Sequence, residues 1–313
     1  MWAIGGGKGG VGRSVLTLTL GFWLAKFRKK VIVVDADLGG ANLNILLGIR
    51  YPSVTLWDFI NKKVARINDV LIDTPYENLS LICGADDMLG LANPKYTQRK
   101  RFLNHLNTLS ADFILFDLGS GTSFNVLDFF LYAEHKIVVL TPQATSVQNV
   151  YGFIKSSLLR HLQRDFSRDE SVSALITRFS TGAGEEKISS IGELKDIVRR
   201  VSAEKYLKLC QAIDSFDIKT VVNMAKNAKD RQTSKIVSMV AKRYLDIEVT
   251  DFGFVKYDPE IEKSVNKMVP FLRDNNQSET AMSTYAIAHK MANGISVESS
   301  KNVNAKTDWL IAD

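Results

Sequence analysis

The sequence predicts one α/β domain, a mainly parallel β-sheet covered by helices on both faces, with a helical insertion at 167–216. Three observations predict it. The chain opens on an apolar stretch that runs directly into a glycine-rich turn and then a helix. Short β-branched runs alternate with stretches of helical periodicity, which calls for right-handed crossovers between parallel strands. No Pro/Gly/Ser-rich linker interrupts the alternation, so a single domain spanning 1–313 is expected.

The first element after the opening strand is the turn Gly5-Gly6-Gly7-Lys8-Gly9-Gly10-Val11-Gly12-Arg13-Ser14. From Gly7 it fits G-x-x-x-x-G-K-[ST] at every fixed position but one, since Arg13 replaces the lysine. Glycines let the backbone curl until several N–H groups face one phosphate chain, and the helix that follows presents its positive end to the same anion. The hydroxyl of Ser14 is placed for Mg²⁺. Gly7 to Gly12 also fits G-x-G-x-x-G with Asp35 about twenty residues on, as a dinucleotide site would have it. That rival is the weaker reading, because the carboxylates below suit triphosphate chemistry.

Ser14 to Phe27 reads as the helix behind the turn, with basic residues at its end where the helix dipole favours them. Val31 to Val34 reads as a strand buried on both faces, ending in Asp35-Ala36-Asp37. Open α/β sheets bind ligands at the carboxyl ends of their strands. A helix cap is the ordinary use of one such carboxylate; two beside a phosphate loop suit hydrated Mg²⁺ and an attacking water. Helices follow at Thr55–Asn61 and Lys95–Leu109, and a strand at Leu79–Cys83. The strand Phe113–Phe116 closes in Asp117, the pattern of a carboxylate that holds Mg²⁺ through water. Phe124–Tyr132 and Val147–Phe166 are helical by period, with a strand Lys136–Thr141 between them. Strands at Lys219–Asn223 and Val249–Val255 and helices at Arg231–Tyr244, Ile261–Val269 and Glu279–Met291 complete the cover.

Residues 167–216 break the alternation. A polar stretch precedes Ile191–Phe216, whose apolar positions Ile191, Leu194, Ile197, Val198, Val201, Leu207, Leu209 and Ile213 have helical spacing. This predicts a helical insertion between the fifth and sixth predicted strands, either a packed hairpin or a partner-binding surface.

These motifs resemble the MinD/ParA family of deviant-Walker ATPases. The residues that carry the resemblance are Lys8 to Ser14, Asp35 to Leu43, Asp117-Leu118-Gly119-Ser120-Gly121, Thr141 to Ser146, Val221-Val222-Asn223 and Tyr257 to Ile261. It runs from residue 1 to about 290, and the form Asp-Ala-Asp-Leu-Gly-Gly-Ala-Asn-Leu is similar to the FleN/FlhG flagellar-number branch. The resemblance implies a P-loop ATPase with ATP, ADP and Mg²⁺ as ligands and an ATP-dependent homodimer. Lys8 resembles the signature lysine that crosses the dimer to the partner's phosphates. Gly7, Gly9, Gly10, Val11, Gly12, Arg13, Ser14 and Val15 would hold the phosphates. Ser14, Asp35 and Asp117 would serve Mg²⁺, Asp35 from its outer shell. Asp37 would position the attacking water, and Asn223, Asp258 and Pro259 would line the adenine pocket.

The resemblance further implies a regulatory protein partner and a role in positioning or numbering a flagellum or division site. Arg13 departs from it and predicts slow or impaired hydrolysis. The N-terminal segment by which flagellar regulators activate a GTPase is not matched, and that activity is not expected. Neither is a C-terminal membrane helix, since 294–313 reads as a flexible polar tail with one short cluster, Trp309-Leu310-Ile311.

Composition agrees. The 313 residues are 45% hydrophobic, enough for a large core, with a net charge of +6. Two cysteines, Cys83 and Cys210, are too few and too far apart for a disulfide framework or a zinc site. They likewise exclude an iron–sulfur ATPase, unless a dimer shared them. The four histidines, His105, His135, His161 and His289, follow no ligand spacing. No run is apolar and long enough to span a membrane and no signal peptide precedes the first strand, so a cytoplasmic location is expected. Basic residues gather at Lys226, Lys229, Arg231, Lys235, Lys242 and Arg243, and at Lys95, Arg99, Lys100 and Arg101. Such a surface suits DNA phosphates, as in partition ATPases, but reads better as a solvated helix face.

Overall fold

The computed structural model describes residues 1–37, 40–84, 96–182 and 188–294. In chain order its elements are β1 (Trp2–Gly5), α1 (Arg13–Lys26), β2 (Val31–Ala36), α2 (Leu43–Leu46), α3 (Leu56–Ile60), β3 (Leu71–Asp73), β4 (Leu79–Ile82), α4 (Tyr96–Leu106), β5 (Phe113–Leu118), α5 (Phe124–Tyr132), β6 (His135–Leu140), α6 (Ala144–Asp165), α7 (Glu170–Thr181), α8 (Ile191–Val201), α9 (Ala203–Asp214), β7 (Ile218–Ala225), α10 (Ala228–Arg231), α11 (Thr233–Leu245), β8 (Val249–Lys256), α12 (Glu260–Asn266) and α13 (Glu279–Ala292).

The eight strands form one sheet in the order β3-β4-β2-β5-β1-β6-β7-β8. Every neighbouring pair is parallel except β3 with β4. Strands β1 and β2 are buried along their whole length, as expected of strands covered on both faces. On one face α1 and α13 pack over Ile4, Val33, Leu81 and Val139. On the other, α3 to α9 and α11 cover Val34, Phe116, Val138 and Leu140. A right-handed parallel sheet needs this two-sided cover, because its crossover helices have no other place to bury their apolar stripes. Among the described residues no helix is long and apolar enough to cross a membrane.

Three departures from the sequence-based expectation have local causes. Strand β3 is missing from the prediction because it has three residues and is half exposed, too short to display a period. Helix α7 falls in the stretch read as merely polar; Asp169 caps it, and only Val172, Ile176 and Phe179 turn inward. The apolar run Ile191 to Phe216 is two helices, α8 and α9, as the packed-hairpin reading has it. Ser202 ends α8 and caps α9, so the helical phase restarts there. Val201 and Leu207, read as part of one apolar face, are therefore 57% and 60% exposed. The inward residues of α7, α8 and α9 join the same core as α6 and the sheet.

The expected tail beyond Gly294, with Trp309-Leu310-Ile311, lies outside the described residues, as do Leu38, Gly39 and Lys95 and the side chains of Arg99 and Lys100. Within the basic stretch around α11, Lys242 pairs with Asp246 and Glu248, Lys226 lies over the Tyr257 ring and Arg231 over Phe254. The histidines are likewise used in packing: His135 against Trp2, and His161 against Phe216. Neither cysteine is in a disulfide.

Candidate functional site

The glycine-rich turn leaves β1 at the centre of the sheet and enters α1 directly. Gly10 and Gly12 have φ of 75° and 81°, a left-handed backbone that favours glycine. Two more constraints hold the curl. A Cβ on Gly7 would stand 2.1 Å from the Asn149 carbonyl oxygen of α6, and one on Gly12 would stand 2.4 Å from Nδ2 of Asn223. The Asn223 amide donates to the Val11 carbonyl at 2.8 Å, and its Oδ1 accepts from the Met224 N–H at 2.9 Å. Asn223 thus braces the loop from β7 as well as lining the space beside it.

Parallel pairing sets the carboxylates. Asp35 on β2 stands directly opposite Asp117 on β5, and Asp117 opposite Ile4 on β1, just before the loop. Both aspartates are buried. Asp35 accepts backbone N–H groups from Asp37 at 3.2 Å, Asn42 at 2.8 Å and Leu43 at 3.0 Å, which fixes its orientation. Asp117 accepts from the Thr17 hydroxyl at 3.4 Å, and the Ser14 hydroxyl bonds it as well. Asp37 is half-buried, and its carboxylate sits against Gly119, where a Cβ would approach Oδ1 to 2.9 Å.

Desolvation pushes the Asp35 carboxyl well above the usual carboxylate range, and the Asp117 charge adds to it. Asp117 is raised for the same first reason, while Ser14, Arg13 and Thr17 draw it back. Both shifts keep protons on the folded state that the unfolded chain has released. Stability of the ligand-free protein therefore falls as pH rises above the ordinary aspartate value and levels off once the folded groups have ionised. In nucleotide-free thermal unfolding, Asp117→Asn should gain on the native chain as pH is raised from about 4 to about 6, where folded Asp117 ionises, at up to about 1.4 kcal/mol per pH unit for one group. A pH-independent difference between the two would refute this.

Arg13 begins α1 and turns back under the loop. Its Nη1 donates to the carbonyls of Gly6 at 3.2 Å and Lys8 at 3.1 Å, and its buried Nε has no hydrogen-bond partner. Burial pulls the guanidinium below its ordinary value; Asp117 and Asp37 oppose that pull. Lys8, Gly9 and Gly10 are exposed at the rim.

Beside the loop opens a cavity of about 430 Å³, lined by Gly10, Gly12, Val15, Asn223, Asp258 and Pro259 among others. It is large enough for a planar heterocycle, with the loop's N–H groups at one end. Sequence reasoning missed Thr17, although its i+3 spacing from Ser14 puts both hydroxyls on the helix face toward Asp117. It missed Asn149, whose contribution is a backbone carbonyl and leaves no trace in side-chain identity. Met224, Lys256, Tyr257, Thr280 and Thr284 also line the cavity. Of these, Tyr257 opens the Tyr257-to-Ile261 motif named from the sequence, where no role was given to it.

The residues suit a Mg²⁺-polyphosphate. The curled loop offers N–H donors, the Arg13 Nε is a buried donor without an acceptor, and the carboxylates are few enough to hold a hydrated Mg²⁺ whose remaining ligands are phosphate and water. Among the described residues no cluster of three or more His, Cys, Asp or Glu could hold a metal by itself.

Known proteins resemble this chain in sequence and in fold. A family model described as the CobQ/CobB/MinD/ParA nucleotide binding domain matches residues 2–271. The antiactivator FleN of Pseudomonas aeruginosa is 24% identical over 292 residues, spanning 92% of this chain and 85% of FleN. The cell division ATPase MinD of Pyrococcus furiosus superposes with a TM-score of 0.64 at 19% identity, covering 93% of this chain and 98% of that one. The septum site-determining protein MinD of Pyrococcus horikoshii, solved with Mg-ADP, gives 0.62 at 20% identity over 93% and 94% of the two chains. At these identities the solved structures speak for the fold alone, whereas the family model covers most of the chain: the protein belongs to the CobQ/CobB/MinD/ParA nucleotide-binding family.

Proposed function

We propose that the protein is a Mg²⁺-dependent ATPase that alternates between a monomer and an ATP-bound dimer, and that it regulates the position or number of a cellular structure, a flagellum or a division site. The observation that carries the reading is the meeting of the curled loop with Asp35, Asp37 and Asp117 at one end of the sheet. The Mg-ADP bound by the horikoshii MinD and the regulatory role in the name of FleN support it. In this reading Gly7 and Gly9 to Val15 hold the phosphates. Ser14 and Asp117 hold Mg²⁺, with Asp35 in its outer shell. Asp37 orients the attacking water, and Lys8 reaches the phosphates of the second subunit. Asn223, Asp258 and Pro259 flank the base, and a regulatory protein reads the dimer.

Bound Mg²⁺ would neutralise the phosphates and the charge that develops on them. The chain's own part is to curl the loop, aim the hydroxyls of Ser14 and Thr17 at Asp117, and hold Asp37 against Gly119. A nucleotide-binding scaffold with little turnover is the second reading, and Arg13 favours it, because a planar guanidinium does not reproduce a lysine's point charge. Calorimetric titration tests the shared premise. Mg-ATP and Mg-ADP should bind and NAD should not; NAD binding with no response to ATP would sink both readings.

A further inference from the structure

Polar side chains line the cavity beside the loop, yet most of them are spent on the chain itself. The Thr19 hydroxyl donates to the Val15 carbonyl at 2.6 Å, and Thr280 to the Lys256 carbonyl at 2.8 Å. Thr284 donates to the Ala281 carbonyl at 2.9 Å and accepts the Trp23 indole N–H at 3.1 Å. Lys256 pairs with Glu279, and the Tyr257 N–H donates to the Ala225 carbonyl at 3.0 Å. What remains on the wall is one donor and a pair of carboxylates. Asn223 keeps one amide proton, since the other goes to Val11 and its Oδ1 accepts from Met224. Asp258 gives Oδ1 to the Glu260 N–H at 2.9 Å and keeps its second oxygen, and the Glu262 carboxylate is exposed. The Tyr257 hydroxyl can donate or accept, so it favours neither kind of partner.

A site discriminates by about 10⁴–10⁵-fold only where it hydrogen-bonds the group that tells two ligands apart; apolar walls separate near neighbours by about 10–200-fold. Adenine and guanine share the N7 acceptor, which suits the one Asn223 proton. They differ at N1, an acceptor in adenine and a donor in guanine, and in the position of the amino group. Excluding guanine takes a fixed donor aimed at N1. Among the described wall residues the threonine and lysine side chains that could supply one are committed elsewhere. Carboxylates accept from guanine N1–H and its 2-amino group as readily as from the amino group of adenine. From this inventory we infer that the base site takes purines as a class, so that Mg-GTP and Mg-GDP bind beside Mg-ATP and Mg-ADP, while pyrimidine nucleotides, which lack N7, bind more weakly. The inference rests on the nucleotide reading above. The rest of the wall meets the faces of the base. Met224 has a φ of 59° where β7 slips its register against β8, and its Cε lies 3.4 Å from where a Gly12 Cβ would stand. An unbranched thioether moulds itself to either purine.

Two measurements on the full chain test this. The first is the affinity of the native protein for Mg-ATP, Mg-GTP and Mg-CTP by calorimetry. GTP should bind within about two hundredfold of ATP, the range an apolar wall allows, and CTP more weakly than either. A larger gap between ATP and GTP would overturn the inference, and so would CTP binding as tightly as GTP. The second repeats the ATP and GTP titrations on Asp258→Asn/Glu262→Gln. Both replacements keep an acceptor oxygen, so the bond from the Glu260 N–H survives, but each trades a carboxylate oxygen for an amide donor. The GTP-to-ATP affinity ratio should fall about tenfold, the worth of one hydrogen bond to a charged group. An unchanged ratio would overturn the part given to the carboxylates. Absence of Mg-ATP binding by the native chain would instead remove the nucleotide reading, and this inference with it.

Discussion

Arg13→Lys should raise ATP turnover by about a hundred- to a thousand-fold, the equivalent of restoring one transition-state donor worth about 2.7–4 kcal/mol. The guanidinium is pinned in its plane by the Gly6 and Lys8 carbonyls. In the proposed reading it would hold phosphate oxygens where they sit in the bound nucleotide and could not follow them as the terminal bond lengthens. Interactions of equal strength in ground and transition states leave the chemical step no faster. Lysine, a compact charge on a flexible stem, can follow the developing charge. Phosphate release at saturating Mg-ATP measures the effect. An unchanged rate would make Arg13 a competent substitute and weaken the scaffold reading.

Lys8→Ala should abolish ATP-dependent dimerisation. The Lys8 side chain is exposed at the loop's rim, while its carbonyl is held by Arg13. From the first half of the loop the ammonium is better placed to cross a two-fold interface than to reach phosphates held beyond Gly12, so each subunit would complete the other's site. Removing one partner of a buried charge pair costs about 2–5 kcal/mol, which weakens a dimer about thirtyfold or more, and a symmetric dimer loses two. The ATP state is first trapped with Asp37→Ala, and mass in solution is measured with and without ATP. Lys8→Ala is then added. A dimer undiminished by the loss of Lys8, or a trapped ATP state that stays monomeric, would show that Lys8 serves only its own subunit.

Much of the site was legible because its parts are local. Gly10 and Gly12 announce a left-handed backbone that few other residues adopt. Asp35 and Asp117 each end a β-branched or apolar run, and that end is where a parallel sheet presents its ligands. Illegible were contacts that depend on where distant elements pack. Thr17 meets Asp117 across 100 residues, and Asn223 meets Val11 across 212. The resemblance puts Asn223 beside the adenine; the structure places it on the wall of the cavity with its amide donating to the loop. Helix α7 was hidden for the opposite reason: three inward residues in twelve do not stand out against a polar background.

What the sequence alone determined is the set of elements and the chemistry carried at their ends: the loop, the helix behind it, the buried strands and the three aspartates. Backbone sterics and apolar periodicity act within a few residues, so they can be read without a fold. The tertiary structure decided the strand order, and with it the pairing that sets Asp35 beside Asp117 and raises both carboxyls by burial. It also decided the pose of Arg13, which is set by two carbonyls, two neighbouring carboxylates and the burial of Nε. Desolvation and register depend on what packs around a residue, and that is settled only when the whole sheet closes over its core.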